Sequence, residues 1–411
     1  MSESLDRVAI DSIAAGGDGV GRSEGMAVFV PRTAPGDIAL VKLSRAKRFA
    51  RGALVSLEQS SAQRVAPPCP HYTVDRCGGC QIQHLSYGAQ LAAKGGIVGD
   101  ALRRIGKREQ ENPPVEPSDG EWRYRRKLTL HLRRNTGGWI AGLHPFDDPD
   151  AVFDLQDCPI TDQGVMAVWA ELRAAFDFLP NERALRVAVR LLDDGAAVVV
   201  EGGRVWRDPE RVLGVAPLAT ELWWRPEGGR TRLLARRGSD SASGASFAQV
   251  NAGVAQRLRG HVLALVRGHH PAKVIDGYAG LGATTLPLAA DGIEVVAIEL
   301  DADAARTLRA KLRPPSTAVA GRVEDHLVRA LPADVVMLNP PRGGLDARVT
   351  DALQRAERPP GAVLYTSCDP ATLGRDLARL TRFRLASVRA YDMFPQTAHV
   401  ETVCELVPEA A

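Results

Sequence analysis

Apolar strands that alternate with helical stretches fill the last part of the chain, and they constrain its fold most. Four such segments are spaced as buried parallel strands, at residues 273–280, 293–300, 333–340 and 361–368. The alternation is typical of a doubly wound α/β domain. We assign residues 246–411 to this domain and the small polar stretch 236–246 to a linker in front of it.

Two further regions precede the α/β domain in a chain of 411 residues, a length that suits two or three domains. Residues 1–62 hold short apolar runs divided by Gly, Pro and Asp, which predicts a small β-barrel of a type that often binds single-stranded nucleic acid. Residues 63–245 combine a segment rich in Cys and Pro, a helix over 85–107 and mainly strands after 121. We predict a central α+β domain there.

The loop after the first strand of the α/β domain has the composition of a ligand site. Gly280 and Gly282 would let a ligand approach the backbone closely at the carboxyl ends of the strands. Glu299 ends the second strand, where a carboxylate can accept both hydroxyls of a ribose, and Asn339 ends the third. A dinucleotide fingerprint needs a third glycine where Thr285 stands. S-adenosylmethionine, which has no pyrophosphate, tolerates this looser loop.

A cysteine and a glutamate stand where chemistry at this strand edge would need them. Cys368 follows the fourth strand and precedes Asp369-Pro370, beside the expected ligand crevice. Glu401 opens a late apolar strand, in which Cys404 alternates as a core residue. A buried structural role is the ordinary one for a single cysteine, but the position after a strand favours a nucleophile for Cys368.

Four of the six cysteines form a separate group in the central region. An early trio is followed by one residue far downstream, and the four are Cys69, Cys77, Cys80 and Cys158. Four cysteines suit structural zinc or a [4Fe–4S] cluster, and the spacing does not decide between them. His71 and His84 are further candidate ligands if the metal is zinc. Disulfides are not expected, because the chain has no signal-peptide pattern and thiols stay reduced in the cytoplasm.

A basic segment at residues 122–133 alternates with a period of two, which predicts a strand. One face would carry aromatic and apolar side chains, and the other would carry five cations. Cations beside aromatic rings are how unpaired RNA is held. The net charge of +3 is too small to indicate nucleic acid by itself, so this local cluster carries the prediction. We expect RNA contacts from Arg123, Tyr124, Arg125 and Lys127.

With these motifs the chain resembles the RNA (uracil-5)-methyltransferases, in particular the iron–sulfur branch that acts on 23S ribosomal RNA. Ser367-Cys368-Asp369-Pro370 matches the family's nucleophile motif, and residues 393–401 match its late motif that ends in the catalytic base. The resemblance implies that Cys368 adds to C6 of a uridine, that C5 then takes the methyl group of S-adenosylmethionine, and that Glu401 removes the C5 proton.

The resemblance covers nearly the whole chain and implies an N-terminal TRAM barrel, a central domain that bears a cluster and a C-terminal methyltransferase domain. It implies donor contacts from Gln249, Tyr278 and Glu299, and a [4Fe–4S] cluster whose fourth ligand is Cys158. Two positions depart from the family pattern. Asn339 stands where the family usually has Asp, and Ala283 stands where a polar Asn follows the glycines.

These departures keep alternatives open. The same thiolate chemistry would serve a cytosine-5 methyltransferase, and an inactive RNA-binding homologue would tolerate both changes. Radical enzymes of this kind usually carry a C-x3-C-x2-C motif. In this chain seven residues, not three, separate the first two cysteines, so a radical enzyme is disfavoured. Resemblance favours 23S ribosomal RNA as substrate over transfer RNA. We expect a cytoplasmic enzyme that binds no membrane and needs no obligate protein partner.

Overall fold

The computed structural model describes residues 5–192, 194–237 and 249–409. Its N-terminal part is a closed barrel with the strand order β1-β2-β3-β5-β4. The barrel strands are β1 (Asp6–Ile13), β2 (Gly19–Ser23), β3 (Met26–Val30), β4 (Ile38–Arg45) and β5 (Phe49–Gln59). Alternate residues such as Val8, Val28 and Val41 point inward and are fully buried. The closed barrel predicted within residues 1–62 is therefore present.

Most of the central region forms a second sheet of seven strands, in the order β13-β12-β11-β10-β7-β8-β9. The strands of residues 63–245 are β6 (Val115–Glu116), β7 (Lys127–Asn135), β8 (Gly138–Leu143), β9 (Phe153–Asp154), β10 (Ala184–Leu192), β11 (Gly195–Glu201), β12 (Glu221–Arg225) and β13 (Arg232–Arg236). The helices are α1 (Pro70–Thr73), α2 (Tyr87–Asp100), α3 (Gln163–Ala174) and α4 (Glu210–Val215), with a π-helical turn at Ala101–Ile105 and a 3₁₀ turn at Phe176–Phe178. Trp169 of α3 is buried in the core below the sheet.

The third part is a doubly wound sheet of eight strands, in the order β16-β15-β14-β17-β18-β20-β19-β6. Its own strands are β14 (Lys273–Gly277), β15 (Glu294–Glu299), β16 (Thr317–Ala320), β17 (Val335–Leu338), β18 (Ala362–Ser367), β19 (Phe383–Tyr391) and β20 (Glu401–Pro408). Its helices are α5 (Ala252–Gly268), α6 (Thr285–Ala290), α7 (Ala302–Lys311), α8 (Val323–Ala330), α9 (Ala347–Arg355) and α10 (Pro370–Leu377). All neighbours are parallel except those of β20, which runs antiparallel between β18 and β19.

Helices cover both faces of this sheet, as parallel strands require. Residues of α5 and α6 pack on one face, while α8, α9 and α10 pack on the other. The chain leaves β14 towards β15 and β16, and then returns to β17 on the other side. The carboxyl ends of β14 and β17 therefore form the switch point at which such sheets bind ligands.

Part of the predicted central domain belongs to the α/β domain by its packing. Val98 of α2 and Leu102 of the π-helical turn are fully buried in the core formed by α8, α9 and α10. Strand β6 pairs in parallel with β19 and so extends the α/β sheet. An apolar helix face at 87–105 does not reveal from sequence which sheet it will cover, and the sequence-based domain limits missed this contact.

The sequence-based prediction of the α/β domain also missed β16 and β19, with one consequence for the site. Strand β16 has only four residues at the sheet edge, so Asn339 follows the fourth strand of the domain and Cys368 the fifth, not the third and fourth. The strand predicted from residue 122 begins at Lys127. The stretch 236–246 and the boundary at 245/246 lie outside the described residues, apart from Arg236 and Arg237. No helix in the described ranges has the length and apolar character to cross a bilayer.

Candidate active site

A cavity of about 470 Å³ opens at the carboxyl ends of the parallel strands. Four of the predicted donor contacts line it, namely Gln249, Tyr278, Gly280 and Asn339. The volume lies in the usual range of small-molecule pockets. Leu364 and Thr366 of β18 line its floor, and residues of the central sheet close one side. The cavity therefore lies at the switch point, between the α/β domain and the central domain.

The loop after β14 owes its shape to its glycines and to Glu299. Tyr278, Gly280 and Gly282 all have positive φ angles, of 67°, 57° and 85°. A Cβ atom on Gly282 would lie 2.3 Å from a methyl carbon of Leu308, so only glycine fits there. The Gly280 N–H donates to Glu299 Oε2 at 2.7 Å. Gly280 thus lines the cavity, and Gly282 and Glu299 hold the loop that carries it.

Asp276 is a cavity residue that the sequence analysis did not select. It ends the apolar part of β14, is almost fully buried, and accepts hydrogen bonds from the hydroxyls of Thr284 at 2.7 Å and Thr285 at 2.6 Å. Burial raises the pKa of this carboxyl group, and the two hydroxyl donors oppose the rise. The sequence did offer a signal for Asp276, since a charged residue within an apolar strand is unusual. Thr285 stands where a dinucleotide site would have a glycine. Its hydroxyl orders the loop by donating to Asp276.

Cys368 stands at the turn from β18 into α10. Leu364 and Thr366 of this strand line the cavity, and Cys368 is the first residue after the strand ends. Its thiol is partly exposed. The Asp369 side chain accepts from the Thr372 N–H at 2.9 Å and caps α10, which fixes the turn after the cysteine.

Glu401 meets Cys368 because β20 is inserted beside β18. The antiparallel register pairs Ser367 with Thr402, so the residues that follow Ser367 and precede Thr402 are neighbours. Glu401 is only 4% exposed. Burial raises the pKa of its carboxyl group to about 7, and the charge of Arg342 opposes that rise.

Burial and two charged neighbours, Glu401 and Arg342, shift the pKa of the Cys368 thiol. Burial raises the pKa of Cys368, the nearby Glu401 carboxylate adds to the rise, and Arg342 opposes it. Arg342 follows β17 by four residues in the segment Asn339-Pro340-Pro341-Arg342. The structure thus brings a thiol, a carboxyl group and a guanidinium together near the carboxyl ends of β17 and β18 and the start of β20. Such perturbed titratable groups in a cleft are typical of catalytic sites.

The four cysteines of the central region also come together. Each is at most 9% exposed, and they lie on the N-terminal side of α1, in the following loop and in the loop before α3: Cys69, Cys77, Cys80 and Cys158. Burial is the largest cause that raises the pKa of the Cys77 thiol, to about 11, and nearby Cys158 and Cys69 add to it. The Gly79 N–H points at the Cys77 sulfur, 3.3 Å away.

The histidines near these cysteines have other partners. His71 bonds the Asp75 carboxylate at 2.7 Å, and His84 bonds the Tyr72 hydroxyl at 2.7 Å and the Thr33 carbonyl at 3.1 Å. Within the described residues, no group of three or more His, Cys, Asp or Glu side chains is arranged to hold a single metal ion. The four thiols are therefore grouped, but they are not arranged for one ion.

The predicted RNA-binding residues have different surroundings. Arg123 forms a bidentate pair with Asp157, at 2.8 and 2.7 Å, and also donates to the Cys158 carbonyl at 3.2 Å. The Tyr124 hydroxyl donates to the Pro395 carbonyl at 2.9 Å. Arg125 Nε donates to the Lys127 carbonyl at 3.1 Å. Arg123 thus holds the loop that carries Cys158, and Tyr124 contacts the segment before Glu401.

Lys127 occupies the cavity rim together with other cations. It lies opposite Arg190 on the neighbouring strand, and both residues line the cavity along with Arg126. Partial burial lowers the pKa of Lys127, and the charges of Arg190 and Arg186 lower it further. Like charges directly opposite on a sheet repel each other. Three cations, Arg126, Lys127 and Arg190, therefore line this side of the cavity.

Comparison with known proteins agrees with this site. The sequence profile described as tRNA (uracil-5-)-methyltransferase matches residues 320–407, which include Asn339, Cys368 and Glu401. An uncharacterised RNA methyltransferase of Thermosynechococcus vestitus is 33% identical, over 97% of this chain and 96% of its own length. One from Protochlamydia amoebophila is 31% identical, with the same coverage of 97% and 96%.

A solved structure extends the likeness to the whole fold. The crystal structure of Pyrococcus abyssi tRNA (uracil-54, C5)-methyltransferase in complex with S-adenosyl-L-homocysteine has a TM-score of 0.74 to this chain at 23% identity. The match covers 99% of this chain and 100% of that one, so it includes the barrel and the central sheet. On sequence matches that cover 97% of its length, this chain belongs to the RNA methyltransferases, and its residues 320–407 match the tRNA (uracil-5-)-methyltransferase model.

Proposed function

We propose that the protein transfers a methyl group from S-adenosylmethionine to C5 of a uridine in RNA, with Cys368 as nucleophile and Glu401 as base. The observation that carries the proposal is the meeting of these two side chains at the ends of β18 and β20, beside the cavity at the switch point. This neighbourhood also speaks against an inactive homologue, because a binding protein has no need of a buried carboxyl group beside a thiol.

The donor is proposed to lie in the 470 Å³ cavity. Tyr278, Gly280 and Asn339 would contact the donor. Gln249, which lies just before α5, would contact it too. Gly282 and Glu299 hold the loop that carries Gly280, and Glu299 would accept the ribose hydroxyls of the donor. When bound, the donor supplies an electrophilic methyl group on a sulfonium. The S-adenosyl-L-homocysteine bound to the Pyrococcus abyssi enzyme supports the choice of donor.

The protein supplies the steps that make C5 reactive. The Cys368 thiol must release its proton to solvent before its sulfur adds, because burial raises its pKa, and the charge of Arg342 opposes that rise. Addition of the sulfur to C6 places negative charge on the ring as an enolate, so that C5 can attack the methyl group. Glu401 then accepts the C5 proton, the C5–C6 double bond forms again, and the Cys368 sulfur leaves as a thiolate. The target base must leave its stack to reach this site.

We propose 23S ribosomal RNA as the first target, on the resemblance of the cysteine group and the TRAM-like barrel. Transfer RNA is the second candidate, because a transfer-RNA enzyme shares the fold, including the barrel, along nearly the whole chain. The cations that line the cavity, Lys127 among them, support an RNA substrate of either kind. The six cysteines are all free, which supports the cytoplasm as the compartment.

Mapping of 5-methyluridine in cellular RNA with and without the gene tests the function and the target together. We expect one 23S uridine to lose its methyl group when the gene is deleted, and to regain it when the wild-type gene returns. Loss from transfer RNA alone would select the second candidate. Appearance of 5-methylcytidine as the gene-dependent product would overturn the uridine assignment, and no change in either base would overturn the proposed activity.

We further propose that the four grouped cysteines hold a [4Fe–4S] cluster. Their thiols are buried together, and the Gly79 N–H is placed to donate to the sulfur of Cys77. Zinc would draw four ligands onto one ion at about 2.0–2.3 Å, whereas a four-iron cluster takes its thiolates further apart. The partners of His71 and His84 also disfavour a zinc site that uses them. The reaction needs no electron, so the cluster would be structural.

The cluster assignment predicts the colour and metal content of the protein. Protein purified without oxygen is expected to be brown and to contain about four iron atoms per chain. Cys80→Ser should remove most of the iron and the visible absorbance. Cys404→Ser is the matched control, because Cys404 is equally buried but lies in the core of the α/β domain, and it should retain both. Colourless anaerobic protein that contains zinc would reject the cluster.

A further inference from the structure

The segment that leads into Glu401 is irregular and yet buried. Residues 392–399 form neither helix nor strand, but Asp392 and Met393 have no exposed surface and Gln396 is 1% exposed. Buried irregular backbone must find hydrogen-bond partners outside itself. We call residues 392–399 the base loop, since they end just before Glu401. The residues that supply these hydrogen-bond partners therefore help to position the Glu401 carboxylate.

A fully buried ion pair anchors the start of the base loop. The Lys94 ammonium of α2 bonds the Asp392 carboxylate, and neither side chain has exposed surface. Lys94 also donates to the Phe394 carbonyl at 3.0 Å. Burial lowers the pKa of Lys94, while Asp392 and, more weakly, Cys80 oppose that change. A buried pair of this kind is weak evidence for stability, but it does specify one geometry.

A second anchor holds the middle of the base loop. The Gln396 N–H donates to Gln90 Oε1 at 2.9 Å, and Gln90 Nε2 donates back to Gln396 Oε1 at 2.9 Å. The Gln396 backbone has a φ of 70°, which a non-glycine residue adopts only when its surroundings hold it. Gln90 lies one turn before Lys94 on α2, so both anchors come from the same helix face.

The two residues that follow Cys80 of the cysteine group contact the same loop. Directly after Cys80, the Ile82 N–H donates to the Gln396 carbonyl at 3.2 Å, and the Gln81 side-chain oxygen accepts from the Ala398 N–H at 3.3 Å. These four anchors of the base loop, Gln81, Ile82, Gln90 and Lys94, all come from the 14 residues that follow Cys80, and the Tyr124 hydroxyl adds a contact to the Pro395 carbonyl.

We propose that Lys94 and Gln90 are positioning residues for Glu401, which rests on the proposed role of Glu401 as base. By fixing the base loop they hold the carboxylate beside Cys368, at the point where the C5 proton must leave. They contact neither the nucleophile nor the donor cavity, so they act on proton removal and not on thiol addition. Residues 81 and 82 carry the same constraint from the cysteine group to the loop.

The test separates the two chemical steps with RNA that carries tritium at C5 of uridine. Formation of the covalent protein–RNA complex reports attack by Cys368, and tritium release reports proton removal by the base. The variants are Lys94→Met/Asp392→Leu, which replaces the buried pair by apolar groups and so leaves no lone charge, and Gln90→Met. Glu405→Gln is the control, because Glu405 lies on β20 too but bonds His269 and Ser387, away from the loop.

We expect complex formation within about twofold of wild type and tritium release slower by about 10- to 100-fold, since a shift of about 1 Å can have such an effect. The methylated covalent complex should then accumulate. The release rate should also reach half its maximum below pH 7, because a displaced Glu401 becomes hydrated. Tritium release at the wild-type rate, or equal losses in both steps, would overturn the positioning role. Absence of both signals in wild type would instead overturn the proposed function.

Discussion

Replacement of Cys368 by alanine is expected to abolish methyl transfer and to prevent the covalent complex with RNA that contains 5-fluorouridine. The wild-type thiolate adds to C6, and fluorine at C5 cannot leave as a proton, so the adduct is trapped. Without the sulfur, C5 never gains enolate character, and loss of the nucleophile should lower the rate by on the order of 10⁴-fold or more. A denaturing gel with labelled RNA and single-turnover methyl transfer measure the two effects.

Cys404→Ala is the matched control for this experiment. Cys404 lies on β20 only three residues after Glu401, but its side chain is fully buried among apolar residues. Burial raises the pKa of its thiol to about 12. We expect this variant to form the complex and to methylate RNA at nearly the wild-type rate. An adduct that survives in Cys368→Ala and disappears in Cys404→Ala would show that the nucleophile has been misassigned.

Long apolar strands were predictable from the sequence because burial on both faces leaves continuous runs of Val, Ile and Leu. That pattern found β14, β15, β17 and β18, and with them the edge that carries the cavity. The pattern missed β16 because that strand has only four residues. It missed β19 because two arginines and a serine interrupt the apolar residues among its nine. Local composition is a weak signal where a strand lies near the sheet edge.

The meeting of Cys368 and Glu401 could not be predicted from their spacing. It depends on β20 entering the sheet antiparallel between β18 and β19, which is a property of the topology and not of either motif. The anchors of the base loop are non-local in the same way, since Gln90 and Gln396 are separated by 306 residues. Resemblance to a family supplied the roles of the pair, and the structure supplied their neighbourhood.

Glu401→Gln is expected to trap the reaction after methyl transfer and also to stabilise the protein at alkaline pH. An amide cannot accept the C5 proton, so turnover should fall by about 10²- to 10⁴-fold while the covalent complex with ordinary RNA accumulates. In the wild type, burial raises the pKa of Glu401 to about 7, so resolution of the complex should rise with pH to a plateau above that value. The pH dependence of complex decay in single-turnover experiments measures this.

The stability effect follows from the same pKa. Between the ordinary pKa of about 4.5 and the folded value of about 7, the folded state binds more protons than the unfolded state, so wild-type stability falls as pH rises through this interval. Above pH 7 the buried carboxylate destabilises the fold by ~3 kcal/mol at most. The amide introduced by Glu401→Gln carries no charge in either state, so this variant should be more stable than wild type at pH 8 and lose that advantage towards pH 4. Urea unfolding at both pH values measures the difference, and an advantage of equal size at both would contradict a buried, titrating base.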